Sequence, residues 1–426
     1  MLCRVVILHK IESSRWRTHS IGYSGSRMKK QFFTHTGLLA SLTLVCLPLK
    51  AAEVNGIKLD NGALIYHSVY VGSGYEQNLA LTNDNEINSA YWQVTPSLTA
   101  LLTPGNSTHE FSALIDVAQY AQSDADNYED YSFNYEGAWE PTTRHRANWS
   151  VSQQYGHQKR GSQQNRFLLD RFDEVMQFEQ TNAEASYEFG SKVAIGRVGI
   201  KGGANRLEYT NFEDFTNQFN FSSQSLGGWF YYRVGKVTNL SFDVGYQSTD
   251  YSDEPDPTQS RNSEVYRFLA GMVWEGLAKT TGKFKLGVEQ RKFELASRED
   301  LTNLAIDAAI TWEPKTYSIV NLTLSRRTME GALGSDATLT TKVTLDWGHS
   351  WTEYSYSRMG YEYASREEQG IISREDNTLY LYANFNRYLN KWLLFETTVS
   401  YLVNSSSNTL FDYDNQKLSI GLRVEI

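Results

Sequence analysis

The residue types able to do chemistry occur here in patterns that fit no catalytic centre. Downstream of residue 52 there are five histidines, His67, His109, His145, His157 and His349, and none has a zinc-ligand spacing such as His-Glu-x-x-His. The Gly-x-Ser-x-Gly pattern that presents a serine nucleophile is absent from the same region. The glycines of "GSGYEQN", from Gly72, precede no helix that would offer its N-terminus to a phosphate. Asp124, Asp126, Glu129 and Asp130 offer hard oxygen ligands for a divalent cation, but a polar loop of this kind fits a solvated acidic surface better. No enzyme activity, cofactor or metal site is expected.

A second set of polar residues alternates with apolar ones. It comprises Arg146, Asn148 and Ser150; Trp229, Tyr231 and Arg233; Asp243 and Gln247; Lys283, Lys285, Glu289 and Arg291; Asp307 and Thr311; and Lys342, Thr344 and Asp346. A period of two places each set on one face of a strand. With charges of both signs mixed, such a face suits a hydrated neutral or weakly charged cargo better than a strongly ionic one. It equally suits groups that pair with one another and fill the space. Trp229 and Tyr231, in "GGWFYYR", are candidates to stack on sugar rings if they face inward.

The elements that must position these residues are strands. Leu226, Gly228, Phe230, Tyr232 and Val234 lead into "GK", and Leu240, Phe242, Val244 and Tyr246 lead out. The same rhythm of strand, short turn, strand and long polar loop runs from about Ile65 to Ile426, giving about eighteen strands of roughly ten residues. No segment downstream of residue 52 is apolar enough to cross a bilayer as a helix. A closed barrel is the other structure that satisfies every backbone group in lipid. The fold expected is therefore all-β, a transmembrane antiparallel up-and-down barrel with short periplasmic turns and long extracellular loops. Pro96, inside a strand, predicts a bulge or local register error.

The pattern Trp-Glu-Pro-x-Thr occurs twice, as Trp139 to Thr143 and Trp312 to Thr316. Pro141 and Pro314 would preset a tight turn, and Thr143 and Thr316 would bond back to it. Trp139 and Trp312 would sit at the membrane boundary, where a ring that is half apolar and half polar belongs.

Residues 28–52, "MKKQFFTHTGLLASLTLVCLPLKAA", have the layout of a secretory signal peptide, and residues 1–27 read as an upstream extension. Residues 53–426 then form one outer-membrane barrel domain. Residues 1–52 together hold both cysteines, eight of the 40 Lys+Arg and one of the 49 Asp+Glu, leaving 32 against 48 and a formal charge of −16. So acidic a chain is a poor partner for nucleic acid. Its surroundings are outer-membrane lipid.

"VGSGYEQNLAL", "VTPSLTALL", "YEGAWEPTTRHRANWSVSQQYGHQKRG", "YYRVGKVTNLSFDVGYQSTDY", "TWEPKTYSIVNLTLSRRT" and "SYLVNSSSNTLFDYDNQKLSIGLRVEI" together resemble an outer-membrane β-barrel family of exopolysaccharide and capsule biosynthesis operons, the putative β-barrel porin 2 family. Gln77 stands where that family's opening motif carries an acidic residue, and Ile426 where such barrels commonly end in an aromatic. The resemblance implies an outer-membrane conduit for a secreted polysaccharide chain, working with a periplasmic polysaccharide export protein and an inner-membrane synthesis complex. It supplies no catalytic residues. Two other functions fit the strand pattern: a diffusion porin for small solutes, and a structural or adhesive barrel acting through outer loops such as 249–262.

Overall fold

Alternation of β-branched and aromatic residues with polar ones produces long strands. The computed structural model describes residues 56–162, 171–251, 260–331, 334–370 and 373–426. The expected leader and its extension, and residues 252–259 of the acidic loop, lie outside the described residues. The strands are β1 (Ile57–Lys58), β2 (Leu64–Gln77), β3 (Ser89–Leu102), β4 (Ser107–Tyr120), β5 (Tyr128–Thr142), β6 (His145–Gln158), β7 (Met176–Phe189), β8 (Gly196–Tyr209), β9 (Phe221–Arg233), β10 (Thr238–Asp250), β11 (Ser263–Leu277), β12 (Thr280–Phe293), β13 (Leu301–Lys315), β14 (Ser318–Glu330), β15 (Ala337–Thr352), β16 (Ser355–Gln369), β17 (Arg374–Tyr388), β18 (Leu393–Ser406) and β19 (Tyr413–Glu425).

From β2 to β19 each strand pairs antiparallel with its neighbours in the chain, and β19 returns to β2 from Gln416↔Gln77 to Glu425↔Ser68. Eighteen strands therefore close into a barrel, with β1 adding a two-residue pairing to β2. Closure leaves no free edge, which lipid would not tolerate. The strands are longer than the ten residues expected, for example 14 in β2 and 16 in β15. About ten suffice to span a bilayer, so their outer ends stand beyond it.

The alternation divides two surfaces. Val71, Phe111, Val151, Ile200, Leu226, Val244, Phe268, Val288, Leu304, Leu345, Val399 and Ile420 are exposed on the outside, the lipid-facing belt of an outer-membrane barrel. Trp139, Trp312, Trp351 and Trp392 are exposed at the short-turn end, and Tyr75, Tyr155, Tyr246 and Tyr266 toward the long-loop end. Tyr246 and Tyr266 both donate to Glu264, at 2.9 and 2.7 Å. Each ring thus keeps an apolar body in lipid and a bonded polar tip.

The Trp-Glu-Pro-x-Thr copies occupy the short-turn end, but their prolines act differently from the expectation. In the first, Trp139 pairs with Ala147 and Thr142 with His145, so one extra residue sits between them. The second repeats this with Trp312↔Val320 and Lys315↔Ser318. Pro141 and Pro314 therefore lie in β-bulges ahead of two-residue turns, where a missing N–H breaks no ladder bond. Thr143 and Thr316 are turn residues. In the first copy the bond back to the turn comes from Thr142, whose Oγ1 accepts from the Arg144 N–H at 3.2 Å. Glu275/Leu277 and Ser350/Thr352 carry the same bulge without proline.

Around this rim each turn is tied to the next hairpin. Glu140, Gly190, Arg233, Glu275, Glu313, Ser350, Tyr388 and Glu425 donate their N–H to Asn106, Arg144, Ile195, Val237, Lys279, Tyr317, Tyr354 and Trp392 carbonyls, at 2.8 to 3.0 Å. Ile426 and His67 exchange a pair of bonds across the seam.

Pro96 causes neither bulge nor register change. The β3–β4 ladder runs Val94↔Val117 and resumes at Ser97↔Leu114 in unchanged register, while Pro96 stays paired with Val69 on β2. At the gap Asp116 Oδ1 accepts from Thr95 Oγ1 at 2.9 Å and from Gln93 Nε2 at 2.6 Å. Side-chain bonds thus tie the two strands across the gap in the backbone ladder.

Candidate functional site

Every lumen residue singled out from the sequence lies on the interior face, and the barrel brings many of them into ion pairs. On the short-turn half, Arg146 donates to Glu188 through Nη2 at 2.5 Å and also bonds the Gly190 carbonyl. Arg197 reaches the same carboxylate at 3.4 Å. Tyr231, only 3% exposed, lies between Arg197 at 4.9 Å and Lys285 at 5.8 Å from its ring centre. Lys285 donates to Asp243 at 2.7 Å. Arg233 bonds the carbonyls of Gly235, Val193 and Lys236, so it fastens a turn at the rim. Asn148 is half-buried beside this group.

Further around, Lys283 donates to Asp307 at 2.5 Å and Lys342 to Glu362 at 2.7 Å. Asp346 accepts from Arg358 at 2.7 Å and from Tyr382. Glu289 accepts from Arg267 and from the Thr328 N–H. Arg291, nearly inaccessible, pairs with Glu330 at 2.8 Å. Much of the wall's charge is thus internally balanced, which holds long side chains flat against it rather than leaving one sign to dominate.

Trp229 differs from Tyr231. It is half-buried, its ring lies across Gly199 of the neighbouring strand, and its Nε1 donates to Glu188 Oε2 at 3.0 Å. Tyr382 lies across Gly360 in the same way. Of the stacking candidates Trp229 faces the lumen with accessible ring surface, whereas Tyr231 is covered and supports its neighbours.

The outer mouth holds what sequence periodicity missed. After β2 the chain turns inward. Asn78, Leu79, Ala80 and Leu81 are at most 2% exposed. Leu79 packs with Tyr91, Ala118 and Tyr120, and Leu81 with Leu402, Tyr413 and Tyr380. Asn78 pins this strap: its Nδ2 donates to the Thr82 and Asp414 carbonyls at 2.7 Å, and its Oδ1 accepts from the Thr82 N–H at 3.0 Å. Leu81 holds a left-handed backbone, φ 51°, disfavoured for leucine and retained by its packing. Beneath the strap Glu76 is 1% exposed and bound by Lys159, by Asn415 at 3.0 Å and by Lys417 at 3.3 Å. Gly161, φ 73°, passes so close to the Ala80 carbonyl that a side chain there would collide with it.

Other loops also fold inward. Phe215 and Phe219 join Phe172, Met176, Leu207, Tyr209, Phe221 and Tyr251 in one apolar cluster. Tyr251 donates to Glu330 at 2.6 Å. Burial above all, with the Glu330 charge next, pushes its phenol well above the usual range. Asp126, expected on a solvated acidic surface, is 3% exposed and accepts from Arg160 Nε at 2.9 Å. That bond raises the guanidinium pKa. Asp130 is likewise engaged, by His157 Nδ1 at 2.9 Å. Among the described residues no group of three or more His, Cys, Asp or Glu is placed to hold a metal ion.

Comparison with known proteins places residues 58–426 within the family model described as Putative beta-barrel porin 2. No curated protein matches. Among solved structures, the outer membrane protein OpdK of Pseudomonas aeruginosa is similar at 9% identity, over 85% of this chain and 99% of that one, with a TM-score of 0.45. The FrpB iron transporter of Neisseria meningitidis (F3-3 variant) is similar at 9% identity, over 84% and 82%, with a TM-score of 0.40. The siderophore receptor PirA of P. aeruginosa is similar at 8% identity, over 85% and 80%, with a TM-score of 0.41.

Proposed function

The chain belongs to the Putative beta-barrel porin 2 family, a bacterial outer-membrane barrel, and on that premise we propose that it conducts a secreted polysaccharide across the outer membrane. The observation that carries this reading is Trp229, an indole laid across Gly199 on the inner wall and fixed by Glu188. A flat apolar ring amid hydrogen-bonding groups is what a sugar needs, because its ring faces are apolar and its edges hydroxylated. The ion-paired wall adds polarity without one dominant sign, which suits a hydrated polymer. The inward-folded outer loops favour a conduit opened for its cargo over an always-open diffusion pore. A periplasmic export protein and an inner-membrane synthesis complex would deliver the chain to the short-turn rim.

Deleting the gene should abolish surface polysaccharide while synthesis continues, and Trp229→Ala should lower export where Tyr231→Phe does not. Unchanged export on deletion refutes the reading. Steady conductance by the barrel alone in planar bilayers would favour a diffusion porin instead.

A further inference from the structure

The inner wall between β8 and β11 carries a row with glycines at its centre. Register sets Lys201, Gly227, Gly245 and Arg267 side by side on four successive strands, all facing the lumen. Gly227 and Gly245 are directly opposed, Gly227 buried and Gly245 half-buried. A side chain at Gly245 would meet only the Cβ of Arg267, at 3.9 Å. At Gly227 it would meet the stem of Lys201, whose Cε lies 3.1 Å away. The lysine therefore lies across this floor.

The rows above and below complete a recess. Toward the outer mouth stand Gly203, Ser225 and Gln247, and toward the rim stand Gly199 under Trp229, then Asp243. Asp243 is occupied by Lys285 and by Ser241, at 2.7 and 2.6 Å. Arg267 is occupied by Glu289. On β7 Glu184 lies one row outward and Glu188, held by Arg146 and Trp229, one row toward the rim. Lys201 is exposed and, among the described residues, takes part in no ion pair. Three strand spacings, about 14 Å, separate the backbones of Lys201 and Arg267.

We propose that this recess is a binding site for a carboxylate-bearing sugar unit, of the uronic acid class, in the transported polymer. The ring enters the space left by Gly245 and stacks beside Trp229; its carboxylate meets Lys201 in a charge-assisted contact, and its hydroxyls meet Ser225 and Gln247. The inference rests on the polysaccharide-conduit reading and adds the charge of the cargo.

The test uses the purified full-length barrel in detergent and two probes of equal length, trigalacturonate and maltotriose, titrated by calorimetry. Trigalacturonate should bind about tenfold more tightly than maltotriose, as one charge-assisted contact predicts. Lys201→Gln should lower trigalacturonate affinity to that of maltotriose, and Gly245→Val should weaken both. Folding of each variant is checked by heat-modified electrophoretic mobility. Equal affinity for the two probes, or a preference that survives both substitutions, overturns the site. The conduit reading fails separately, on surface polysaccharide that persists after gene deletion.

Discussion

The strap at Asn78 to Thr82 gives the sharpest quantitative expectation. Leu79 and Leu81 are at most 2% exposed, on inward-facing aromatics of both neighbouring walls. Burying a leucine is worth about 1.5–3 kcal/mol, so Leu79→Ser with Leu81→Ser removes about 3–6 kcal/mol from the seated state. Even the lower figure shifts the seated-to-lifted ratio about a hundredfold. The assay is maleimide labelling of Ala80→Cys, since Ala80 is 1% exposed and the sequence's cysteines, Cys3 and Cys46, both precede the described residues. Labelling should be slow in the otherwise native barrel and about a hundredfold faster with both serines, accompanied by a rise in single-channel conductance. If Ala80→Cys reacts at once in the native barrel, or the serines leave its rate unchanged, the strap is not held by this packing and the reasoning fails.

Arg146→Ala, which leaves Glu188 only Arg197 at 3.4 Å and the Trp229 indole, should lower unfolding stability in lipid by about 1.5–3 kcal/mol, measured by urea titration of tryptophan fluorescence, with Glu188→Gln on the same background restoring part of the loss. Thr142→Val should cost about 1 kcal/mol through its turn bond. Pro141→Ala, acting in a bulge rather than a ladder, should change the same titration by less than about 1 kcal/mol. Trp312→Ala should slow insertion into lipid vesicles while leaving Trp229-dependent export intact, because one ring faces the boundary and the other the lumen.

The sequence carries the barrel because strand pairing obeys a period of two over many segments, and a one-residue slip would send every belt residue inward. Hence the sidedness of Arg146, Asp243 or Lys285 is readable without coordinates. Their partners are not: Glu188 meets Arg146 across strands, but nothing local announces that Tyr231 will be covered by Arg197 and Lys285. The prolines failed in one instructive direction, since Pro141 fits a turn or a bulge equally well by its fixed φ, and only register distinguishes them. The strap was written as three apolar residues, Leu79, Ala80 and Leu81, in what otherwise reads as a polar loop. Periodicity has nothing to say about a segment that is neither strand nor helix, although an apolar triplet there was a usable signal.

The seam between β19 and β2 constrains how the molecule comes into being. Arg423 and Ser68, bonded at 3.3 Å, are 355 positions apart, so the first and last strands meet only after the intervening ones have been threaded. Until that meeting, two full-length strand edges present bare donors and acceptors to lipid or to other chains. A barrel of this topology has no stable half, and its biogenesis must shelter both edges together until the final zipper shuts.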